Sequence, residues 1–153
     1  MAVDLDDTDR AILRTLLADG GLNAREVGAR TGLSQPAAWR RIRRLEETGV
    51  IRGRRVVLDR EKLGYAVVVF LGVRLAVKGR LDLDAFERAV QAIPEVQVVQ
   101  HVLGIYDYRL KVVARDLADF ERILRRRIMT LPGIGAVESN VMLSEEKTAG
   151  PVV

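Results

Sequence analysis

The 153-residue chain has no cysteine, which excludes a disulfide framework and a thiolate metal site. Its single histidine, His101, excludes a multi-histidine metal cluster. The longest apolar run, YAVVVFLGV at 65–73, is far shorter than the roughly 20 residues a bilayer-spanning helix needs. The opening MAVDLDDTDR is acidic and has no apolar signal core, so the cytoplasm is the expected location and no membrane is expected as a partner. No serine or cysteine nucleophile stands beside His101, and a lone strand histidine is more often packed than catalytic. Gly79, Gly133 and Gly135 lack the spacing of a phosphate loop after a strand. No catalytic group, metal ligand set or cofactor is expected.

What is present reads as a globular protein: 48% hydrophobic and 30% charged residues, enough chain for one large domain or two small ones. The net charge of +4 is unevenly spread. Residues 1–55 carry eleven arginines and no lysine against eight carboxylates, while residues 56–153 are near neutral at +1. Between 36 and 55, seven arginines face only Glu46 and Glu47. A basic stripe in a near-neutral chain points to a polyanion, with nucleic acid first in line.

The first third spells three short helices. DDTDRAILRTLLADGG repeats apolar residues at Ile12, Leu13, Leu16 and Leu17 and stops at Gly20-Gly21. NAREVGART opens on Asn23 with Glu26 three residues on, buries Val27, and is closed by Gly32. SQPAAWRRIRRLEETG opens on Ser34 with Pro36 in its first turn and ends at Gly49. Ala38, Ile42 and Leu45 share its buried face, with Trp39 at the border. Two helices joined by Thr31-Gly32-Leu33 make a helix-turn-helix. Subtracting the buried face leaves Gln35, Ala37, Arg40, Arg41 and Arg44 outward, with Arg43 near the edge. That suits a major groove, with Ser34 to Arg44 as the DNA-binding reading helix, Gln35 and Ala37 near base edges and Arg40, Arg41 and Arg44 on phosphates. VIRGRRVVLD then reads as a strand, its Arg52, Arg54 and Arg55 continuing the basic surface.

Beyond the short connector DREKLGY the period changes repeatedly. YAVVVFLGVRLAV is a strand. DLDAFERAVQAI is a helix opening at Asp82 with Phe86, Ala89, Val90 and Ile93 inward. VQVVQHVLG and YDYRLKVVA are strands joined at Gly104-Ile105. DLADFERILRRRIMTLPG is a helix opening at Asp116 with Phe120, Ile123, Leu124 and Ile128 inward and a solvated RRR at 125–127. GAVESNVMLS is the last strand. The order β-α-β-β-α-β is the ferredoxin-like split arrangement, so the fold class is α+β. Two helices cover one sheet face, yet Val67, Val68, Val69, Phe70 and Leu71 are all apolar where alternation is expected. Something must cover the second face, and a second copy of the same sheet is the cheapest cover. A homodimer is expected.

These stretches resemble the Lrp/AsnC, or feast/famine, family of regulators. LDDTDRAILRTLLADG, TGLSQPAAWRRIRRLEETGVIRG, LGY, GIYDY and LPGIGAVES carry the resemblance along nearly the whole chain. It implies a winged helix-turn-helix over 1–55, a connecting strand and turn over 56–64, and a βαββαβ dimerisation and effector-binding domain over 65–153. It further implies dimers assembling onward, commonly to octamers, and an amino acid or related metabolite bound where dimers meet. Such a ligand would lie near the GIYDY hairpin. Gly104-Ile105 would form a two-residue type II′ turn exposing backbone donors to a carboxylate. Asp107 would meet an ammonium group, with Tyr106 and Ser139 beside it. The plainer reading of Tyr106-Asp107-Tyr108 is a strand with aromatic cross-strand pairs. Two departures stand out: Arg54 occupies a place usually aromatic, and Ser139 one often taken by threonine. The function implied is sequence-specific regulation of transcription on double-stranded DNA. The alternative class is a sirohaem-decarboxylase-like enzyme, which resembles this family in architecture. It would need a porphyrin-sized cavity and would have no use for an arginine-rich reading helix.

Overall fold

A computed structural model describes residues 3–76 and 80–146, so Met1, Ala2, Val77, Lys78, Gly79 and the last seven residues lie outside it. The chain divides into two compact units, one ending at Leu58 and the other spanning Asp59–Glu146.

The first unit is three helices, each started by a side chain that satisfies an otherwise orphaned backbone donor. Asp6 accepts from the Asp9 amide at 2.7 Å, and Asp9 returns the bond to the Asp6 amide at 3.2 Å, opening α1 (Asp7–Ala18). Asn23 and Glu26 do the same at 3.0 and 2.8 Å for α2 (Ala24–Thr31). Ser34 Oγ accepts from the Ala37 amide to open α3 (Gln35–Glu47). Gly32, at φ 71°, ends α2 in the left-handed region that side chains avoid, and α3 begins three residues later. Ile12, Leu13, Leu22, Val27, Ile42 and Leu45 form the core. Leu17, expected inward, is exposed in the last turn of α1.

The expected strand over 50–59 is absent. Residues 52–58 run without pairing to any other described segment, and Val56, Val57 and Leu58 are 85%, 93% and 68% exposed. Valine-rich composition favours a pleated strand only where a neighbour completes the ladder. No described part of the chain does so here.

The second unit is a four-stranded antiparallel sheet in the order β2-β3-β1-β4, formed by β1 (Val67–Leu75), β2 (Val96–His101), β3 (Tyr108–Ala114) and β4 (Ile134–Val141). The βαββαβ order is completed by α4 (Arg80–Gln91), which starts two residues ahead of Asp82, and α5 (Leu117–Ile123), capped by Asp116. The helices cover one face, burying Val69, Leu71, Val73 and Leu75 of β1 and Tyr108, Leu110, Val112 and Ala114 of β3 against Phe86, Val90, Ile93, Phe120, Ile123 and Ile128. The second helix does not continue as a regular α-helix. Leu124–Ile128 forms a π-helical turn, the Met129 amide donating to the Leu124 carbonyl at 2.8 Å. Bonding from i to i+5 brings residues five apart onto one face, so Ile123 and Ile128 are both buried while Arg125, Arg126 and Arg127 point to solvent.

The outer face departs from the apolar surface expected of it. Val68 and Phe70 on β1 are apolar, but strand register places Arg109 and Lys111 of β3 and Glu138 and Asn140 of β4 on the same side. Part of the cover comes from the chain itself: the Lys111 ammonium lies 5.9 Å from the Phe70 ring centre, and the Tyr106 ring lies over Gly72. Val68 and its β3 partner Val113 are buried on this face, at 1% and 9% exposure.

Candidate functional site

On α3, Ser34, Gln35 and Arg40 are exposed and Ala37 is half-buried. Among the described residues Arg40 has no carboxylate or hydrogen-bond partner. Its neighbours differ from that expectation of freedom. Arg41 Nη1 donates to Asp6 Oδ2 at 2.7 Å and to Asp9 Oδ1 at 2.9 Å, and Arg44 Nη2 donates to Asp9 Oδ2. Arg41 and Arg44 are therefore ion-paired to α1, where Asp9 is completely buried and needs cations to offset its lost hydration. Asp6 is held below its ordinary pKa, first by the Asp9 amide and then by Arg41; the two carboxylates raise Arg41 in turn. Arg43 pairs with Glu47 at 3.4 Å and lies 5.8 Å from the Trp39 ring centre. Arg54 is exposed and also holds the fold: Nη1 donates to the carbonyls of Gly20 and Leu22 at 3.2 and 2.8 Å, bracing the α1–α2 turn. Asp6 and Asp9 were the missed residues here, although their spacing of three is that of a capping pair.

The segment between β2 and β3 is not a two-residue turn. The Val102 amide donates to the Asp107 carbonyl at 3.0 Å, which closes a four-residue loop over Leu103, Gly104, Ile105 and Tyr106. Gly104 lacks the positive φ that a type II′ turn requires at that position. The loop folds onto the outer face. Arg74 Nε donates to the Ile105 carbonyl at 2.7 Å, and the Tyr106 hydroxyl donates to Glu138. Any Cβ on Gly72 would sit 2.8 Å from Tyr106 ring carbons, so a glycine here is what admits the ring. Asp107 does not offer its carboxylate freely to an ammonium: Oδ2 accepts from the Leu75 amide at 2.9 Å while its own amide donates to the Val73 carbonyl at 2.9 Å. It prolongs the β1–β3 ladder with its side chain.

Ser139 is paired in register with Leu71 and so lies on the helix side of the sheet, opposite the face that holds Tyr106. The structure thus joins Gly104 and Tyr106 on one loop, with Asp107 at its base, and leaves Ser139 out. Glu138, one residue earlier, takes its place, and period-2 alternation along β4 could have found it. Glu138 is kept charged, its pKa lowered first by the Tyr106 hydroxyl and then by Asn140. Tyr106 is raised correspondingly by Glu138. Two residues on, Tyr108 faces the helices: its hydroxyl donates to Glu87 at 2.6 Å, and burial and that bond push its pKa well up. His101 stacks on Tyr108 at 4.8 Å between ring centres, in the packing role expected of it, beside a cleft of about 440 Å³ between α4 and β2.

Comparison with known proteins bears on both halves. Residues 5–52 match the model of the winged helix-turn-helix DNA-binding domain, and residues 68–152 that of the Lrp/AsnC ligand binding domain. Transcriptional regulator AzlB of Bacillus subtilis is 31% identical over 147 residues, covering 96% of this chain and 94% of that protein. A transcriptional regulator from Neisseria meningitidis solved in complex with L-Met superimposes with a TM-score of 0.90 at 28% identity, covering 95% and 94% of the two chains. The feast or famine regulatory protein of M. tuberculosis, solved with L-methionine, gives a TM-score of 0.85 at 30% identity, with 95% and 96% covered. These relatives are regulators, which leaves the decarboxylase alternative without support. A capped helix-turn-helix with an exposed reading turn, carried on the same chain as a βαββαβ ligand-binding domain, is a consistent whole: the chain belongs to the Lrp/AsnC family of DNA-binding transcriptional regulators, and is not an enzyme.

Proposed function

We propose that this regulator reads double-stranded DNA with the start of α3 and is tuned by an amino acid bound at the 103–106 loop. The DNA-reading module ends at 55, residues 56–64 connect, and the effector domain follows from 65. Ser34, Gln35 and Ala37 face base edges and Arg40 supplies the phosphate contact. The observation that carries the effector reading is that two relatives sharing this fold along 95% of the chain were solved with L-methionine. The loop supports it with Gly104 exposed and with Glu138, charged and exposed beside Tyr106, as the acceptor for an ammonium group. Asp107 positions the loop from below. Coupling of about 1–3 kcal/mol between ligand and DNA gives a several-fold to hundredfold change in operator affinity.

The test is a thermal-shift screen of the twenty amino acids, followed by titration of any hit against an operator selected from genomic fragments. A hit is expected, lost in Glu138→Gln and shifting operator affinity at least threefold. No hit, or one whose binding survives both Glu138→Gln and Gly104→Val, removes this pocket.

The working unit of this reading is a homodimer in the cytoplasm. Support comes from Val56, Val57 and Leu58, three exposed apolar residues on unpaired backbone; a second copy running antiparallel would give them a ladder. A two-fold axis then implies an approximately palindromic operator. Leu103 and Ile105, exposed at the loop tip, are the apolar groups through which dimers would join towards octamers. Light scattering at micromolar concentration is expected to give at least a dimer, and Val57→Asp to shift it towards monomer. A monomeric parent protein would overturn this.

A further inference from the structure

Asp9 is the single buried charged residue among those described, and it sits in the first turn of α1 rather than in any site so far considered. Its carboxylate takes Arg44 on one oxygen, and Arg41 at 2.9 Å on the other; Asp6 takes Arg41 as well, at 2.7 Å. Two carboxylates thus neutralise two of the four arginines on α3. Glu47 engages a third, Arg43, at 3.4 Å. Among the described residues, the helix that looks most basic in the sequence therefore presents one cation without a carboxylate partner, Arg40.

That matters because phosphate contacts add affinity for every sequence alike, whereas discrimination comes from base edges. Each phosphate neutralised contributes about 0.9 to the slope of log affinity against log salt, on random and specific DNA equally. Reducing the number of free arginines lowers the background that a regulator must overcome across a genome. We propose that Asp9 is a specificity-determining residue, which withholds Arg44, and with Asp6 also Arg41, from the DNA backbone so that the Ser34–Ala37 turn decides where the protein binds. The proposal rests on α3 being the reading helix.

Salt titrations of the full-length protein on random-sequence DNA separate the possibilities. Arg40→Gln is expected to lower the slope by about one unit for each helix engaged. Arg44→Gln is expected to lower it by less than a third of that. Asp9→Asn removes the charge that holds Arg44, so its slope should steepen by about one unit for each helix, with several-fold tighter binding to random DNA and a smaller ratio of operator to random affinity. An Arg44→Gln slope that falls as far as that of Arg40→Gln overturns the proposal, as it shows Arg44 on a phosphate in the parent protein. A folded Asp9→Asn that loses affinity for both DNAs equally at unchanged slope also overturns it, since Asp9 would then only hold the fold. Should Asp9→Asn not fold, the two arginine variants decide alone. If Arg40→Gln also leaves the slope unchanged, it is the assignment of α3 that has failed, an outcome distinct from the others and equally fatal to the proposal.

Discussion

Gly28→Ala is expected to weaken operator binding at least tenfold and to lower the melting temperature of the N-terminal unit. In an ordinary helix the change would stabilise by up to about 1 kcal/mol, since alanine is the better helix former. Gly28 is not in an ordinary place. It is buried near the end of α2, and its carbonyl accepts from the Leu33 amide at 2.9 Å. A Cβ there would stand 2.6 Å from the Leu33 carbonyl oxygen and 3.5 Å from the carbonyl carbons of Leu33 and Ser34. All are backbone atoms of the turn that launches α3, so no rotamer change can make room. Either α2 or the start of α3 must shift, at a cost of about 1–3 kcal/mol or more for overpacking. A displaced Ser34 also loses its cap on the Ala37 amide. A mobility-shift titration should show at least a tenfold loss, with a lower midpoint in thermal denaturation. A variant more stable than the parent would mean that the turn is slack.

Phe86→Ala should cause the largest loss of stability in the second unit. The ring is fully buried on α4 and meets the Tyr108 ring at 4.8 Å between centres, tilted by 46°. Removing it forfeits the transfer energy of the aromatic group and leaves a cavity among Val90, Leu110 and their neighbours, a combination that costs about 3–5 kcal/mol. Domains of this size are stable by about 5–15 kcal/mol in total, so the effect approaches the whole. Tyr108 would also lose the packing that aims its hydroxyl at Glu87. Chemical denaturation followed by circular dichroism should show the midpoint moved sharply to lower denaturant. Phe86→Leu, which fills most of the volume, should recover much of the loss.

Local signals were legible wherever one short stretch holds the whole explanation. Asn23 with Glu26, Ser34 with Pro36, Gly32 and Asp116 each define a helix boundary from neighbours in sequence, and the structure has each boundary there. The order of strands and helices was legible for the same reason, as periodicity is local. What could not be read were the long-range partners. Nothing near Arg41 or Arg44 in sequence reveals Asp9, which lies more than thirty residues earlier and meets them only when α1 packs on α3. Arg54 finds Gly20 and Leu22 across a similar gap. At the loop, counting residues suggested a turn centred on Gly104-Ile105, whereas closure by Val102 and Asp107 depends on how far β2 and β3 remain in register. Ser139 and Glu138 were separable only once β4 had been placed beside β1, because a shift of one residue exchanges the two faces.

The sheet order also sets a timetable for synthesis. The three helices of the first unit contact one another within about forty residues and can assemble as soon as they leave the ribosome. The strand β1 cannot, since Val69 pairs with Val112 on one side and with Val141, about 70 residues downstream, on the other. At about 5–20 residues per second, its apolar run waits several seconds for both neighbours. Pairings this distant in sequence are also slow to form once the chain is complete. During synthesis the three-helix unit is therefore complete while the second unit is unfinished, and it is in this interval that the unpaired apolar run of β1 is most exposed to aggregation.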